Sequence, residues 1–139
     1  MITFTVPGEP VAKARARVTI AGGRAHAYTP AKTAAYEQLV AKAGRDAMAG
    51  QKPLTTPLIV SITIHRKIPA SWPKNRRQAA LDGLLYPTTT PDADNYAKAA
   101  LDGLNGIVWE DDAQVVSLTV HKRYSASPCT ILNVTDLVI

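Results

Sequence analysis

The chain has a single cysteine, Cys129, so no disulfide can form within it, which agrees with a reducing compartment. Its longest apolar run, around LIVSITI, is far too short to cross a bilayer, and nothing in it reads as a signal peptide. A soluble cytoplasmic protein with no membrane partner is expected. The histidines, His26, His65 and His121, are scattered, which argues against the short His and Cys spacings that zinc wants. There is no Ser, His and Asp arrangement, no glycine-rich phosphate loop, no internal repeat and no low-complexity linker. What remains is 139 residues with 46% hydrophobic content, enough for a real core and expected to form one domain over residues 1–139.

The net charge of +5 conceals an asymmetry. Before Pro91 there are 13 Lys and Arg against 4 Asp and Glu, a balance of +9; from Pro91 onward there are 3 against 7, a balance of −4. An acidic patch is thus embedded in a basic molecule, and basic surface points to a polyanionic partner, nucleic acid first.

Alternating apolar residues predict strands at ITFTV, at VAKARARVTI and, after a Gly22-Gly23 hairpin turn, at RAHAY. Lys13, Arg15 and Arg17 share one face of the second of these and are candidate phosphate contacts. Thr29 and Pro30 read as N-cap and first residue of a helix that runs to Gly50. Leu58 to Arg66 is β-branched and alternating, a central strand. SWPKNRRQAALDGLL reads as a shorter helix capped by Ser71, carrying Arg76 and Arg77 as a second group of candidate DNA contacts. A third helix spans Asp94 to about Leu104, closed by Gly106, and QVVSLTVHKRY and CTILNVTDLVI are the last strands. The expected fold is α+β: a mixed or mostly antiparallel sheet packed with about three helices.

The third helix carries the chemistry. In PDADNYAKAALDGLNGIVWEDDAQVV, steps of 100° per residue place Asp94, Lys98 and Asp102 within an arc of roughly 80°, with Tyr96, Ala100, Gly103 and Leu104 turned away. Asp92 precedes the first turn, where the helix amino end favours ionised carboxylates. Each acid has an ordinary use as well: Asp94 as an N-cap, Asp94, Lys98 and Asp102 as surface ion pairs, Asp111 and Asp112 as solvated loop acids. Their concentration argues for more, since six of the 11 acids fall between positions 92 and 112. Clustered carboxylates suit Mg²⁺, with Mn²⁺ as a substitute. Several carboxylates, one lysine and basic surroundings are what phosphodiester hydrolysis asks for: metal ions activate water and stabilise the leaving oxygen, and an ammonium offsets charge on the phosphate.

These residues resemble the RusA family of Holliday-junction resolvases, whose motif runs D-x-D-N, a lysine four residues after the second Asp, D-x-L, and then D-D-x-Q. The basic hairpin and first helix resemble phage and prophage members more weakly. The resemblance implies a small, homodimeric, Mg²⁺-dependent endonuclease that resolves four-way DNA junctions by paired nicks. By matching positions, Asp92, Asp94 and Asp112 would be metal ligands and Lys98 the catalytic lysine, with Asp102 in a supporting position and Asp111 in reserve for Asp112. The chain departs from the family at Ala93, where Leu or Ile is usual, and at PTTTP, which lacks the basic residues common before the motif. Both departures bear on affinity and substrate choice and leave the ligands in place.

Two rival readings use the same residues. One is a nuclease acting on flaps, forks or other branched DNA. The other is a non-catalytic DNA-binding protein with a structural metal, against which Lys98 argues, since a structural site gains nothing from a cation beside its metal.

Overall fold

The computed structural model describes residues 1–14, 17–28 and 30–137, and Arg17 in its backbone alone. Six strands and three helices follow in the order β1 (Ile2–Pro7), β2 (Arg17–Ala21), β3 (Arg24–Tyr28), α1 (Ala31–Met48), β4 (Leu58–Lys67), α2 (Lys74–Leu81), α3 (Ala93–Leu104), β5 (Val115–Ser125) and β6 (Cys129–Asp136). A 3₁₀ turn at Asp112–Gln114 precedes β5. The class is α+β, as expected. Among the described residues no helix is long and apolar enough to cross a membrane.

Four strands form one mixed sheet in the order β1-β6-β4-β5, with β4 and β5 parallel and the other pairs antiparallel. β4 is central, as its β-branched composition predicts, and Leu58, Val60, Ile62 and Ile64 on one of its faces are fully buried. Helices α1 and α3 cover that face, α1 contributing Tyr36 and Val40 and α3 contributing Tyr96, Ala97, Ala99, Ala100 and Leu104. Because β4 and β5 run parallel, the chain must cross over between them, and a crossover needs a dozen or more residues. Here that connection holds α2, α3 and the 3₁₀ turn, and with them every acid of the predicted site.

The two helices approach closely through glycine. A Cβ on Gly103 would lie 3.0 Å from the Glu37 carbonyl oxygen and 3.1 Å from the Val40 Cβ, and one on Gly44 would lie 2.5 Å from a Leu104 methyl. Glycine in a helix costs about 1 kcal/mol relative to alanine. In return α3 seats its small-residue face against α1 and turns its charged stripe outward.

Several expectations are corrected. Of the strand foreseen across VAKARARVTI, the described residues show Arg17–Ala21 as strand and residues 11–14 as none. Val11 and Ala12 pack against the core, and the Lys13 N–H donates to the Asn95 carbonyl at 2.8 Å, so this segment bonds to α3 instead of to a strand. The second helix is shorter than foreseen and is not capped by Ser71: Pro73, with no N–H and a fixed φ, precedes its first residue, and Asp82 ends it. The cap foreseen at Thr29 lies outside the described residues, as do the last two residues of the foreseen final strand, while Pro30, read as the first helical residue, is instead the N-cap residue ahead of Ala31. The hairpin turn is as read: Gly22 and Gly23 both have positive φ, the conformation a two-residue hairpin loop demands.

Gly103→Ala should lower stability by about 1–2 kcal/mol, because overpacking against a backbone carbonyl outweighs the gain in helix propensity. A urea titration reads this as a lower midpoint at unchanged slope. A higher midpoint would mean that the two helices can separate without loss.

Candidate metal and DNA-processing site

Asp92 is the N-cap residue of α3, with extended backbone, yet its side chain makes no capping hydrogen bond. Asp94 stands in the first turn. Neither carboxylate enters an ion pair among the described residues, so the ordinary uses of an acid at a helix start are not taken up. One turn further, Lys98 keeps 63% of its side chain exposed, and its ammonium lies 3.8 Å from Asp102.

Asp94, Lys98 and Asp112 line one hollow of 380 Å³, walled by Ala97, Leu101, Leu118 and Val120. The helical spacing explains the first two. Asp112 arrives by a different route, through Gln114. The Gln114 side-chain amide donates to the carbonyls of Leu54 (2.9 Å) and Thr56 (3.0 Å) and accepts from the Asp111 N–H (2.9 Å), while the Gln114 N–H donates to the Asp111 carbonyl (3.1 Å). These bonds moor the 3₁₀ turn and aim Asp112 at α3. The adjoining segment is fixed as well: Trp109 is fully buried and its indole N–H donates to Asn105 Oδ1 at 2.8 Å.

Burial, a hydrogen bond with Asp111 and the negative charges of Asp111 and Asp102 push the Asp112 carboxyl above its ordinary pKa, with Lys98 opposing them. A half-buried carboxylate crowded by other carboxylates is a group whose ionised form gains from a cation. The donors, all carboxylate oxygens, are those a hard divalent ion takes. Among the described residues, however, no three His, Cys, Asp or Glu side chains stand together closely enough to hold a metal ion. Asp94 and Asp112 share the hollow; Asp92 is not among the residues that line it, and its charge acts on Lys122.

Lys122 and Arg66 were not anticipated. Both hold the turn that delivers Asp92: the Lys122 ammonium donates to the carbonyls of Thr89 and Pro91, each at 2.9 Å, and Arg66 Nη1 donates to the Thr89 carbonyl at 3.1 Å. Burial and the Arg66 charge hold Lys122 below the ordinary lysine pKa, against the attraction of Asp92. No local signal marks either residue, since each reads as one more basic side chain on a strand.

The predicted DNA contacts divide. Lys13 bridges the carboxylates of Glu37 and Asp102, the latter at 3.2 Å; burial works against its charge, but the two carboxylates outweigh burial and hold its pKa above the ordinary value. Its ammonium is therefore spent on joining α1 to α3, and Asp102 answers to Lys13 more closely than to Lys98. Arg15 and the Arg17 side chain lie outside the described residues. Arg76 stacks over Trp72, 4.0 Å from the ring centre, and Arg77 donates to the Pro69 carbonyl at 3.3 Å, so both brace α2 and neither lines the hollow. Asp111 is exposed and serves the 3₁₀ turn.

A protein-family model described as Endodeoxyribonuclease RusA matches residues 7–135. The uncharacterised protein YqaN of Bacillus subtilis (strain 168) is 41% identical over 129 residues, which are 91% of this chain and 90% of that protein.

The crowding of Asp112 has a measurable consequence. Because its folded pKa is raised, its ionisation costs stability: the cost is absent below the unfolded carboxylate pKa and complete above the folded one. In a chelating buffer at neutral pH, Asp112→Asn should therefore melt slightly higher than the parent, by roughly 1–3 °C after discounting for solvent screening. The gap should close near pH 3, and added Mg²⁺ should raise the parent's melting point more than the variant's. A lower melting point at neutral pH would show that attraction by Lys98 outweighs the repulsion.

Proposed function

Because the chain belongs to the RusA endodeoxyribonuclease family, whose activity is Holliday-junction resolution, we propose that it nicks four-way DNA junctions in a divalent-metal-dependent reaction at the hollow between α3 and β5. The observation that carries this reading is the convergence of Asp94, Lys98 and Asp112 on that one hollow. Asp94 and Asp112, joined by Asp92, would hold the ion, with Mg²⁺ the expected occupant and Mn²⁺ a substitute. When bound, such an ion polarises a phosphoryl oxygen and acidifies a water ligand.

The protein's own groups account for the rest. Lys98, exposed at the rim, extends its ammonium to the non-bridging oxygens of the phosphate and offsets the charge that builds there. Asp102, tethered by Lys13, limits how far Lys98 can swing. The apolar walls formed by Ala97, Leu101, Leu118 and Val120 lower the local dielectric and strengthen each charge interaction in the hollow. Arg15, Arg17, Arg76 and Arg77 are the proposed outer contacts to the DNA backbone. Lys13 belongs with the site's internal supports.

Resolution requires two nicks related by a two-fold axis, and one chain holds one copy of the site. A symmetric homodimer supplies the second. Sedimentation at working concentration should find a dimer; a monomer that still cuts junctions would favour the reading as a general branched-DNA nuclease.

Synthetic junction, fork and linear duplex, each with and without Mg²⁺, test the reaction. The parent should cut the junction in preference to the duplex and only with metal. Asp94→Asn should lose at least a hundredfold in rate, about 2.7 kcal/mol, while still binding junction. Lys98→Ala should lose rate without losing metal affinity, and Lys98→Arg should rescue it only in part, since a broad guanidinium replaces a compact ammonium poorly. Normal cutting by Asp94→Asn would remove the hollow as the site.

A further inference from the structure

The turn that leads into α3, PTTTP at residues 87–91, carries no charged side chain of its own. Its cations come from the sheet. Lys122 on β5 bonds the carbonyls of Thr89 and Pro91, bracketing Thr90, and Arg66 on β4 bonds the same Thr89 carbonyl and, at 3.4 Å, the Thr89 hydroxyl. In the parallel register Ile64 stands opposite Lys122 and Arg66 opposite Tyr124. Alternation therefore puts both cations on the sheet face that also bears Leu118 and Val120, the floor of the acidic hollow.

Charge-assisted bonds to backbone carbonyls are among the stronger hydrogen bonds. Three of them converge on residues 89–91, whose next residue is Asp92. Thr88, Thr89 and Thr90 are all exposed, between a buried Pro87 and a half-buried Pro91, so their own side chains bury nothing that would fix the Thr89 and Thr90 backbone. An ammonium has three donors, and Lys122 commits two of them to this turn. A surface lysine recruited only for solubility, or for a passing phosphate, has no need of such an anchorage.

We propose that Lys122, seconded by Arg66, is a positioning residue for the metal site, fixing the 89–91 turn so that Asp92 joins Asp94 and Asp112 around the ion. This rests on the reading of Asp92 as a ligand. Among the proposed ligands Asp92 is the one whose placement depends on the turn: Asp94 is set by the helix and Asp112 by Gln114. Outer residues that orient a metal ligand typically change metal affinity 10–100-fold when removed.

The test uses the full chain with Lys122→Met, which keeps the apolar stem, Lys122→Arg, which keeps the donors, and Arg66→Met. Mn²⁺ affinity is measured by electron paramagnetic resonance of the free ion, amide exchange across residues 89–94 by mass spectrometry, and junction binding without metal as a function of salt. Lys122→Met should weaken Mn²⁺ binding about tenfold and speed exchange in the turn, leave the salt slope unchanged, and recover cleavage at saturating Mg²⁺. Arg66→Met should do the same less strongly, and Lys122→Arg should restore most of the affinity. Unchanged Mn²⁺ affinity overturns the proposal. If the salt slope then falls by about one unit, Lys122 is a phosphate contact, and if only the melting point falls, it is a brace for the fold. Failure of the functional reading looks different: the parent would bind no Mn²⁺, or Asp92→Asn would bind it as tightly as the parent.

Discussion

The arrangement of the whole site depends on how closely α3 can lie against α1. Gly44 and Gly103 remove the two side chains that would hold the helices apart, and the contact that results is backbone against side chain, with no slack. Everything on the opposite side of α3 inherits that position. Asp94 and Lys98 face β5 across a hollow because the helix has been pressed down onto the core, and Asp102 comes within reach of Lys13 for the same reason. A helix held further out would carry the same charged stripe over open water, where the charges would be screened and the apolar walls missing.

Within this frame the charged residues divide into two populations. Lys13, Glu37, Asp102, Arg66 and Lys122 are committed to partners: they join α1 to α3 or tie a turn to the sheet. Among the described residues Asp92 and Asp94 enter no ion pair, and Asp112 is crowded by its own kind. The first population spends its charge on geometry. The second is the set for which a shared metal ion is proposed. The division also changes the meaning of the basic amino-terminal part. Its formal excess overstates the surface offered to DNA, since several of its cations bond to carboxylates, carbonyls or aromatic rings of the protein itself.

The crossover from β4 to β5 brings these populations together. A parallel pair obliges the chain to leave one end of the sheet and return at the other, and the site acids lie where that path departs from and rejoins regular structure: Asp92 at the start of α3, Asp112 just ahead of β5. Family membership shows an endodeoxyribonuclease, and the packing shows how an ordinary α+β scaffold brings these acids together.

Much of this was legible from the residues alone, because it follows from local periodicity. The face shared by Asp94, Lys98 and Asp102, the buried face of β4, the Gly-Gly hairpin and the extent of α1 and α3 are consequences of 3.6-residue and two-residue repeats that any window of sequence exposes. Where a local pattern was outvoted, the reading failed: Val11 to Ala14 alternates like a strand, but its backbone bonds to α3, and Ser71 looks like a cap until Pro73 sets the helix start. The parallel pairing of β4 with β5, the mooring of Asp112 through Gln114 and the hold of Lys122 and Arg66 on the turn before Asp92 all join residues some 20 to 60 positions apart. Sequence determined which residues could do the chemistry, since composition and helical spacing are properties of the chain itself. Tertiary structure decided which of them meet, because contact between distant segments is set by packing, and packing has no local signature.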